Sequence, residues 1–407
     1  MNFNYDKMTH TVQPKETLYS ISKKYRLSIE QLTEMNSLQS TNLSIGQVLV
    51  VDSSTFSDDT TTTTIFSANT SVFNDNTAYN TSNTSSQNSS INHAAVNPVD
   101  YGSSVFERRQ VFQIQQQNKG SYSTYVINFP SSDGFMQTGP MRDVYPSPNQ
   151  VNPKGVSYAG QSGFDENKSM FLDLCQEPYY ADILKYISKN EGCFDAVNSY
   201  DKAIFSFGFI QFTGAVASGS MLTRVLARLK DRDEDVFNEC FGQYGLDVQN
   251  DGTPVFQVDT SYGTKEGDAA YLEVANDLRL TGAFIASAFK PSMICVQVEV
   301  ALEEYVVKAV SSSVMINIYG NAYPLNQIIN TQGGIAFRVD LAVNRGLSGS
   351  LAVLKKAIEQ VLSESGSGDI TSLDERSIIE KVAMNDVETW KKQRVLKVLD
   401  SGFSFAK

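Results

Sequence analysis

The stretch that decides the fold runs EGCFDAVNSYDKAIFSFGFIQFTG, over residues 191–214. A helix is expected just before it, because apolar side chains recur there at helical spacing: Tyr180, Ile183, Leu184 and Ile187. Glu191 falls four residues after the last of them, on the same face, where desolvation raises a carboxyl pKa. Asp201 follows ten residues later. Two carboxylates in unlike surroundings, one protonated and one ionised, are what glycosidic bond cleavage needs.

The net charge and the absence of long apolar runs limit the kinds of partner and the cellular location that we expect. The 407 residues include 45 acidic and 33 basic side chains, and this net charge of -12 argues against nucleic acid as a partner. No apolar run approaches the roughly 20 residues of a membrane span. The start, from Met1 to Asp6, lacks the basic and apolar regions of a signal peptide. We therefore expect synthesis in the cytoplasm, with action at a cell wall after lysis, after non-classical export or within a particle.

Histidine is nearly absent, which excludes several hydrolases. His10 and His93 are the two histidines, and both precede the large C-terminal segment. Cys–His peptidases, zinc amidases and Ser–His–Asp hydrolases all need an imidazole, so carboxylate catalysis remains. The cysteines are too irregularly spaced for a metal or redox motif, and we expect reduced, mostly buried thiols and no cofactor: Cys175, Cys193, Cys240 and Cys295.

Residues 8–52 form the first segment, a predicted strand-helix-helix-strand (α+β) unit. Thr17 and Ser28 are the predicted N-caps of its two helices. This segment resembles a LysM module through four matching stretches: His10–Val12, Thr17–Ser22, Tyr25–Asn36 and Leu43–Leu49. The family usually has Gly-Asp where this chain has Lys15-Glu16, so the first turn differs slightly. The resemblance implies binding of N-acetylglucosamine-containing glycans, in peptidoglycan or chitin.

The same resemblance implies a glycan groove between two turns of the module. Its residues would be Glu16, Thr17, Leu18, Asn42, Leu43 and Ile45. A place in the hydrophobic core is the favoured alternative for Leu18 and for Ile45.

Residues 53–98 form a predicted flexible linker, and residues 99–407 a large, mainly helical (α+β) domain. The linker is rich in Ser, Thr and Asn, which cannot bury enough apolar surface to order it. Residues 99–168 are either an N-terminal extension or a subdomain, with a strand over Ser123–Phe129. The expected helices are Tyr179–Asn190, Met221–Arg232, Asp268–Phe289, Met293–Ser312, Gly334–Asn344, Ser350–Ser363 and Asp374–Phe403, the last with a kink or division.

Residues 184–214 resemble the active-site core of the lysozyme-like superfamily, nearest the goose-type lysozymes and lytic transglycosylases. An acid at a helix end is followed there by a loop or hairpin and a Phe-Gly-Leu-Met-Gln-like turn, here Phe207–Gln211. The resemblance implies that Glu191 is the catalytic acid. Asp201 is the second carboxylate, although it lies one residue further from the turn than in goose-type enzymes. The implied substrate-binding residues are Ser206, Gln211, Tyr200 and Tyr319.

Two neighbouring features receive structural interpretations. Asp195 is expected to cap a turn, because it lies only four residues from Glu191. Residues 337–346 resemble a helix and turn of chitosanase-like relatives, for which we expect a packing role.

These observations predict a peptidoglycan glycosidase, a muramidase or endolysin-like enzyme that a LysM module targets to the wall. If Asp201 positions a water molecule, cleavage is hydrolytic and inverting. If it does not, the muramoyl hydroxyl attacks and the enzyme is a lytic transglycosylase. A chitinase or chitosanase is the alternative enzyme. A non-catalytic wall anchor, or a phage-tail or contractile-injection-device part with a degenerate lysozyme fold, is the alternative from another class.

Overall fold

The computed structural model describes residues 9–13, 21, 25, 32–33, 35–36, 38, 43–51, 104–131, 134–143, 152, 155–215, 220–250, 252–366 and 368–407. The predicted linker over 53–98 lies outside these residues. The chain divides into two compact units, Met1–Gly102 and Ser103–Lys407. Each unit is described by itself.

The first unit is built on one antiparallel strand pair. Strand β1 (Thr9–Thr11) pairs with β2 (Val48–Val50), and residues 21, 25, 32–33 and 35 between them are helical. The Asn36 side chain bridges the two kinds of element: its amide donates to the carbonyl oxygens of Leu32 and Val50, and its oxygen accepts the Val50 N–H. A small core fills the interior, formed by Val12, Ile21, Leu32, Leu49 and Val51.

The second unit places eight strands in one antiparallel sheet. Across the sheet the order is β10, β9, β8, β7, β6, β4 and β3, with β5 paired to β4. Strands that precede Glu191 in the sequence therefore share one sheet with strands that follow it. The opening part of the large predicted domain thus belongs to the same unit. The bounds are β3 Gln113–Asn118, β4 Ser123–Ser131, β5 Gly134–Gln137, β6 Met141–Asp143, β7 Val156–Tyr158, β8 Val197–Asn198, β9 Ser206–Phe207 and β10 Phe212–Thr213.

Strands β7 and β8 are neighbours in the sheet, with Ser157 opposite Asn198 and Tyr158 opposite Val197. Between them the chain leaves the sheet and forms two helices before it returns. A short helix, α1 (Val105–Arg108), precedes the sheet. The two helices of the excursion are α2 Phe164–Phe171 and α3 Pro178–Glu191.

The rest of the unit is a helical layer with two small sheets. The helices are α4 Met221–Arg232, α5 Glu234–Cys240, α6 Gly267–Asn276, α7 Leu278–Ser287, α8 Pro291–Ala301 with a π-helical continuation over Leu302–Val307, α9 Leu325–Ile328, α10 Gln332–Ser365, α11 Glu375–Asn385 and α12 Thr389–Leu396. The small sheets are β11 Leu246–Gln249, β12 Val255–Thr260 and β13 Gly263–Glu266, and the hairpin β14 Met315–Ile318 with β15 Asn321–Pro324.

Several predicted elements agree with this structure. The helix Met221–Arg232 has the predicted bounds, α3 extends the predicted helix by one residue at each end, and the predicted strand Ser123–Phe129 lies within β4. The apolar stripe of α3 is buried as predicted. Four phenylalanines of the deciding stretch are core residues: Phe205, Phe207, Phe209 and Phe212.

Other predicted elements were wrong in extent. The helix expected over Asp268–Phe289 divides at Asp277, whose carboxylate caps α7 by accepting the Arg279 N–H. The helix expected over Asp374–Phe403 is α11 and α12. Helices α2 and α5 and the β11–β13 sheet were not predicted. The unit is a mixture of helix and sheet and is 53% helical.

Candidate active site

Glu191 is the last residue of α3, and its side chain is 16% exposed. The preceding stripe packs into the core, which carries the carboxyl to the edge of that core. Gly192 follows with φ 141°, and a Cβ at that position would lie 2.6 Å from the Cβ of Ala196. The sharp turn after Glu191 therefore requires glycine.

Arg394, on α12, holds Glu191 and a second carboxylate. Its Nη2 donates to Glu191 Oε1 at 2.5 Å and to Asp340 Oδ1 at 2.7 Å, while its Nε lies 3.0 Å from Asp340 Oδ2. Asp340 comes from α10 and also accepts a 3.4 Å hydrogen bond from the Asn190 amide. All three charged side chains are largely buried. We call Glu191, Asp340 and Arg394 the carboxylate cluster.

The pKa of Glu191 is shifted by its burial and by the two other members of the cluster. Burial raises its pKa, the Arg394 guanidinium lowers it, and the Asp340 carboxylate raises it again, with a net upward shift. Nearby, burial first and then Glu304 and Glu191 raise the pKa of Tyr305 to about 12. A carboxyl with a raised pKa suits proton donation near neutral pH.

Asp201 lies in the loop between β8 and β9, where it stabilises the turn. Its Oδ1 accepts the Ala203 N–H at 2.9 Å, and its Oδ2 accepts the Asn198 amide at 3.1 Å. The neighbouring charges that shift the Glu191 pKa are those of Arg394 and Asp340 rather than that of Asp201. The structure therefore brings Asp340, and not Asp201, into direct electrostatic contact with Glu191.

Asp195 is a fully buried structural carboxylate, in line with the expected turn role. Its Oδ1 accepts the N–H groups of Gln161 and Ser162, each at 2.8 Å, and its Oδ2 accepts the Tyr158 hydroxyl at 3.1 Å. These bonds join the chain before α2 to the chain after α3.

The other predicted substrate residues lie in and around the hairpins after Glu191. Ser206 is buried in β9 and is not open to solvent. Gln211 is half-buried at φ 55°, and its amide donates to the Gly208 carbonyl oxygen at 3.0 Å. Tyr200 is half-buried, and its N–H donates to Asn198 Oδ1.

Tyr319 is an exposed residue of the β14–β15 turn. Its hydroxyl donates to the carbonyl oxygen of Glu359 on α10, at 2.9 Å. The hydroxyl is thus bonded to the second half of α10, while Asp340 of the cluster lies in the first half, beyond the helix break at Gly346.

Gln297 is a buried residue of α8 that the sequence analysis did not single out. Its Nε2 donates to the Phe194 carbonyl oxygen at 3.1 Å, and its Oε1 accepts the Phe209 N–H at 3.3 Å. One side chain thereby fixes the segments before β8 and after β9. Arg394 and Asp340 were also missed as site residues, although Asp340 falls in the chitosanase-like stretch, where a packing role was expected.

Two of the predicted LysM groove residues are described. Leu43 is half-buried against the small core, whereas Ile45 is 72% exposed on the turn before β2. The core role considered for Ile45 was therefore wrong. Glu16, Thr17, Leu18 and Asn42 lie outside the described residues.

The comparisons with known proteins identify the first unit. A family model described as LysM domain matches residues 10–52. Residues 10–52 form a LysM domain. A LysM domain indicates binding of peptidoglycan or another GlcNAc-containing glycan. No curated protein and no solved structure matches the chain. The exposed Ile45 thus belongs to a glycan-binding module.

Neither metal nor membrane features stand out in the described residues. No three His, Cys, Asp or Glu side chains cluster there as a metal site. The four thiols are free, Cys240 and Cys295 being buried and Cys175 and Cys193 half-buried. In the part of the chain that the structure covers, no single helix is long and apolar enough to span a membrane. Helix α7 and the helix over Pro291–Val310 reach that length and apolar composition only when taken together, and the pair is bent by 85°.

Proposed function

We propose that this protein is a glycan-targeted glycosidase that cleaves the β-1,4 bond between N-acetylmuramic acid and N-acetylglucosamine. The observation that carries the proposal is the Glu191 carboxyl, largely buried at the end of α3 with a raised pKa. The LysM domain supports the choice of substrate, because it indicates binding of the same class of polymer.

Glu191 acts as general acid in this proposal. Its proton passes to the glycosidic oxygen as the bond to the anomeric carbon breaks, and a nucleophile attacks that carbon. Arg394 orients the carboxyl through the 2.5 Å hydrogen bond and stabilises the carboxylate that remains. Asp340 accepts from Nε and from the same Nη2 of Arg394, and so positions the guanidinium.

The nucleophile distinguishes two reactions. Water activated by Asp201 gives a hydrolase with reducing-end products. Attack by the muramoyl hydroxyl gives a transglycosylase with 1,6-anhydro ends and needs only Glu191. The turn that Asp201 stabilises immediately precedes β9, so its carboxylate has a structural role that is independent of either reaction.

A second candidate function is a wall anchor without catalysis, as a free protein or as part of a phage-tail or injection-device particle. The observation that favours it is the ion pair itself, because Arg394 already occupies the oxygen that Glu191 would use. In either function the protein would act at the cell wall after lysis, after non-classical export or in a particle.

Digestion of purified sacculi tests these alternatives. Wild type, Glu191→Gln and Asp201→Asn are incubated with sacculi, and products are identified by mass spectrometry. Glu177→Gln is the matched control, because Glu177 is an exposed glutamate at the other end of α3. We expect Glu191→Gln to lose about 10²-fold or more in rate and the control to retain full rate.

Each outcome selects one function. Reducing ends that depend on both acids indicate the hydrolase, and anhydro ends that survive in Asp201→Asn indicate the transglycosylase. Release from chitin but not from sacculi would indicate a chitinase or chitosanase. Sedimentation with sacculi and no product from wild type would replace the glycosidase with the anchor.

A further inference from the structure

Trp390 is the single tryptophan of the chain and is 51% exposed on the first turn of α12. Two neighbouring charged side chains contact its indole. The Nε1–H donates to Glu388 Oε2 at 2.5 Å, and the Lys391 ammonium lies 5.3 Å from the ring centroid. Glu388 and Lys391 are themselves ion-paired at 2.6 Å. A large apolar ring is therefore presented to solvent beside an ion pair.

The position of Trp390 connects it to the carboxylate cluster. Trp390 and Arg394 lie four residues apart on α12, so they are neighbours on one helix face, with Cβ atoms about 5–6 Å apart. Arg394 in turn holds Glu191 and Asp340. The exposed indole thus lies one helical turn from the guanidinium that orients the proposed catalytic acid.

Two other apolar residues that lie just before Trp390 in the sequence are exposed. Val387, in the turn before α12, is almost completely exposed, and Met384 at the end of α11 is also exposed. An ion pair between Arg345 and Asp386, 2.7 Å long, ties this turn to the break of α10 at Gly346. The turn is thus fixed to the same helix that supplies Asp340.

We propose that Trp390 is a stacking platform for an N-acetylglucosamine-type sugar of the strand that reaches Glu191. The inference rests on the proposed function and adds a substrate-binding residue to it. A pyranose ring presents an apolar C–H face and a rim of hydroxyl and amide groups. The indole matches the face, while the Glu388 carboxylate and the Lys391 ammonium supply an acceptor and donors for the rim.

A sugar fits this surface better than a protein partner does. One exposed aromatic ring with charged groups at its edge offers an apolar face and a polar rim, which is the pattern of a single sugar ring rather than of an extended protein surface. The LysM domain indicates binding of this sugar class by the same chain. Two modules that recognise one polymer increase its residence on the protein.

The single tryptophan makes the test direct, because its fluorescence reports on this site alone. The full chain carrying Glu191→Gln is titrated with the hexamer of N-acetylglucosamine and with soluble peptidoglycan strands. We expect a saturable change in indole emission with at least one of the two probes. Tyr262→Ala in the same background is the control, because Tyr262 is an exposed aromatic residue in the β12–β13 turn. It should leave the titration unchanged.

Kinetics provide the second measurement. Trp390→Ala should raise the KM for soluble strands about tenfold and leave kcat nearly unchanged, and Trp390→Phe should restore most of the loss. A kcat loss with unchanged KM would overturn the platform role. So would an emission that responds to protein concentration without sugar, since a second copy would then cover the ring.

The outcomes for the two proposals are separable. Saturable emission without cleavage of sacculi by wild type would preserve the sugar platform and remove the glycosidase. Cleavage that depends on Glu191, combined with unchanged emission at saturating sugar, would remove the platform and preserve the glycosidase.

Discussion

Arg394 bonds two buried carboxyl side chains at once, and it comes from an element far along the chain. Glu191 and Asp340 both bond to it, and all three side chains are largely shielded from water. Removing the cation would leave the Asp340 carboxylate buried without its countercharge and Glu191 without its hydrogen-bond donor. Breaking such a pair typically costs about 3–5 kcal/mol of folding free energy.

We therefore expect Arg394→Gln to lower the free energy of unfolding by about 3–5 kcal/mol, measured by urea denaturation at neutral pH. Lys392→Gln is the matched control, because Lys392 is exposed on the same helix, and it should change stability by less than about 0.5 kcal/mol. Equal stability of the two variants would contradict the importance assigned to the cluster.

The Glu191 pKa gives a second prediction, on the pH dependence of stability. Its folded-state pKa lies above the ordinary value of 4.5. The folded state then binds the proton more tightly than the unfolded state. The stability contributed by this group is complete below 4.5 and is lost as the pH rises through the raised pKa.

Subtracting Glu191→Gln from wild type isolates that contribution. We expect the difference in unfolding free energy, wild type minus variant, to fall as the pH rises above 4.5 and through the raised pKa of Glu191. Chemical denaturation at a series of pH values measures it. A difference that grows with pH would mean that the Arg394 pairing outweighs burial and that the pKa is lowered.

The distance between partners explains why the cluster was not found from the sequence. Glu191 was located from the stripe of α3, a pattern that spans about two helical turns. Its partner Arg394 lies 203 residues further along the chain. Helical periodicity carries no information on which distant helix packs against the end of another.

At the scale of elements, Gln297 of α8 joins the two segments that flank the β8–β9 hairpin. Replacing it with leucine keeps the volume but leaves the Phe194 carbonyl and the Phe209 N–H buried without a partner. Each unsatisfied group costs about 1–3 kcal/mol.

We expect Gln297→Leu to lower the unfolding free energy by about 2–5 kcal/mol in urea denaturation. Gln110→Leu is the control, because Gln110 is an exposed glutamine near the start of the same unit. An unchanged midpoint for Gln297→Leu would mean that water or a shifted backbone satisfies both groups.

Predictions of helix bounds succeeded where one face of a helix is buried. They failed where a side chain caps a new helix and so ends the preceding one. Helix α4 has a regular apolar stripe and was predicted with its observed bounds. The break at Asp277 depends on a cap within a continuous apolar pattern. The β11–β13 sheet could have been found, since Leu246 and Val248 alternate with polar residues before a turn at Gly252.

At the scale of the whole molecule, the LysM domain and the large unit should contribute separately to wall recognition. Removing residues 1–52 should weaken co-sedimentation with sacculi by about 10²-fold, because the avidity of two linked modules is lost. The same deletion should leave the Trp390 emission titration with soluble sugar unchanged. Loss of both would show that the large unit needs the LysM domain to fold or to bind.

A point variant refines that prediction. Ile45→Asp places a charge on the exposed LysM turn and should reduce sedimentation, whereas Phe135→Asp alters an equally exposed apolar side chain of the large unit and should not. The LysM domain was recognised from local motifs within about 45 residues.

The fold of the large unit was harder to predict from the sequence, because no known protein matches it and its large sheet depends on pairings between strands that are distant in the sequence.

The pairing of β7 with β8 has a consequence for how the molecule opens. Helices α2 and α3 sit on a loop of chain whose base is closed by two adjacent strands and by the buried Asp195. Such a segment exchanges its amide hydrogens as one cooperative unit rather than helix by helix. The acid at the end of α3 would then lose its place only when that whole loop detaches from the sheet, so a single opening event would govern both protease susceptibility and the lifetime of the site.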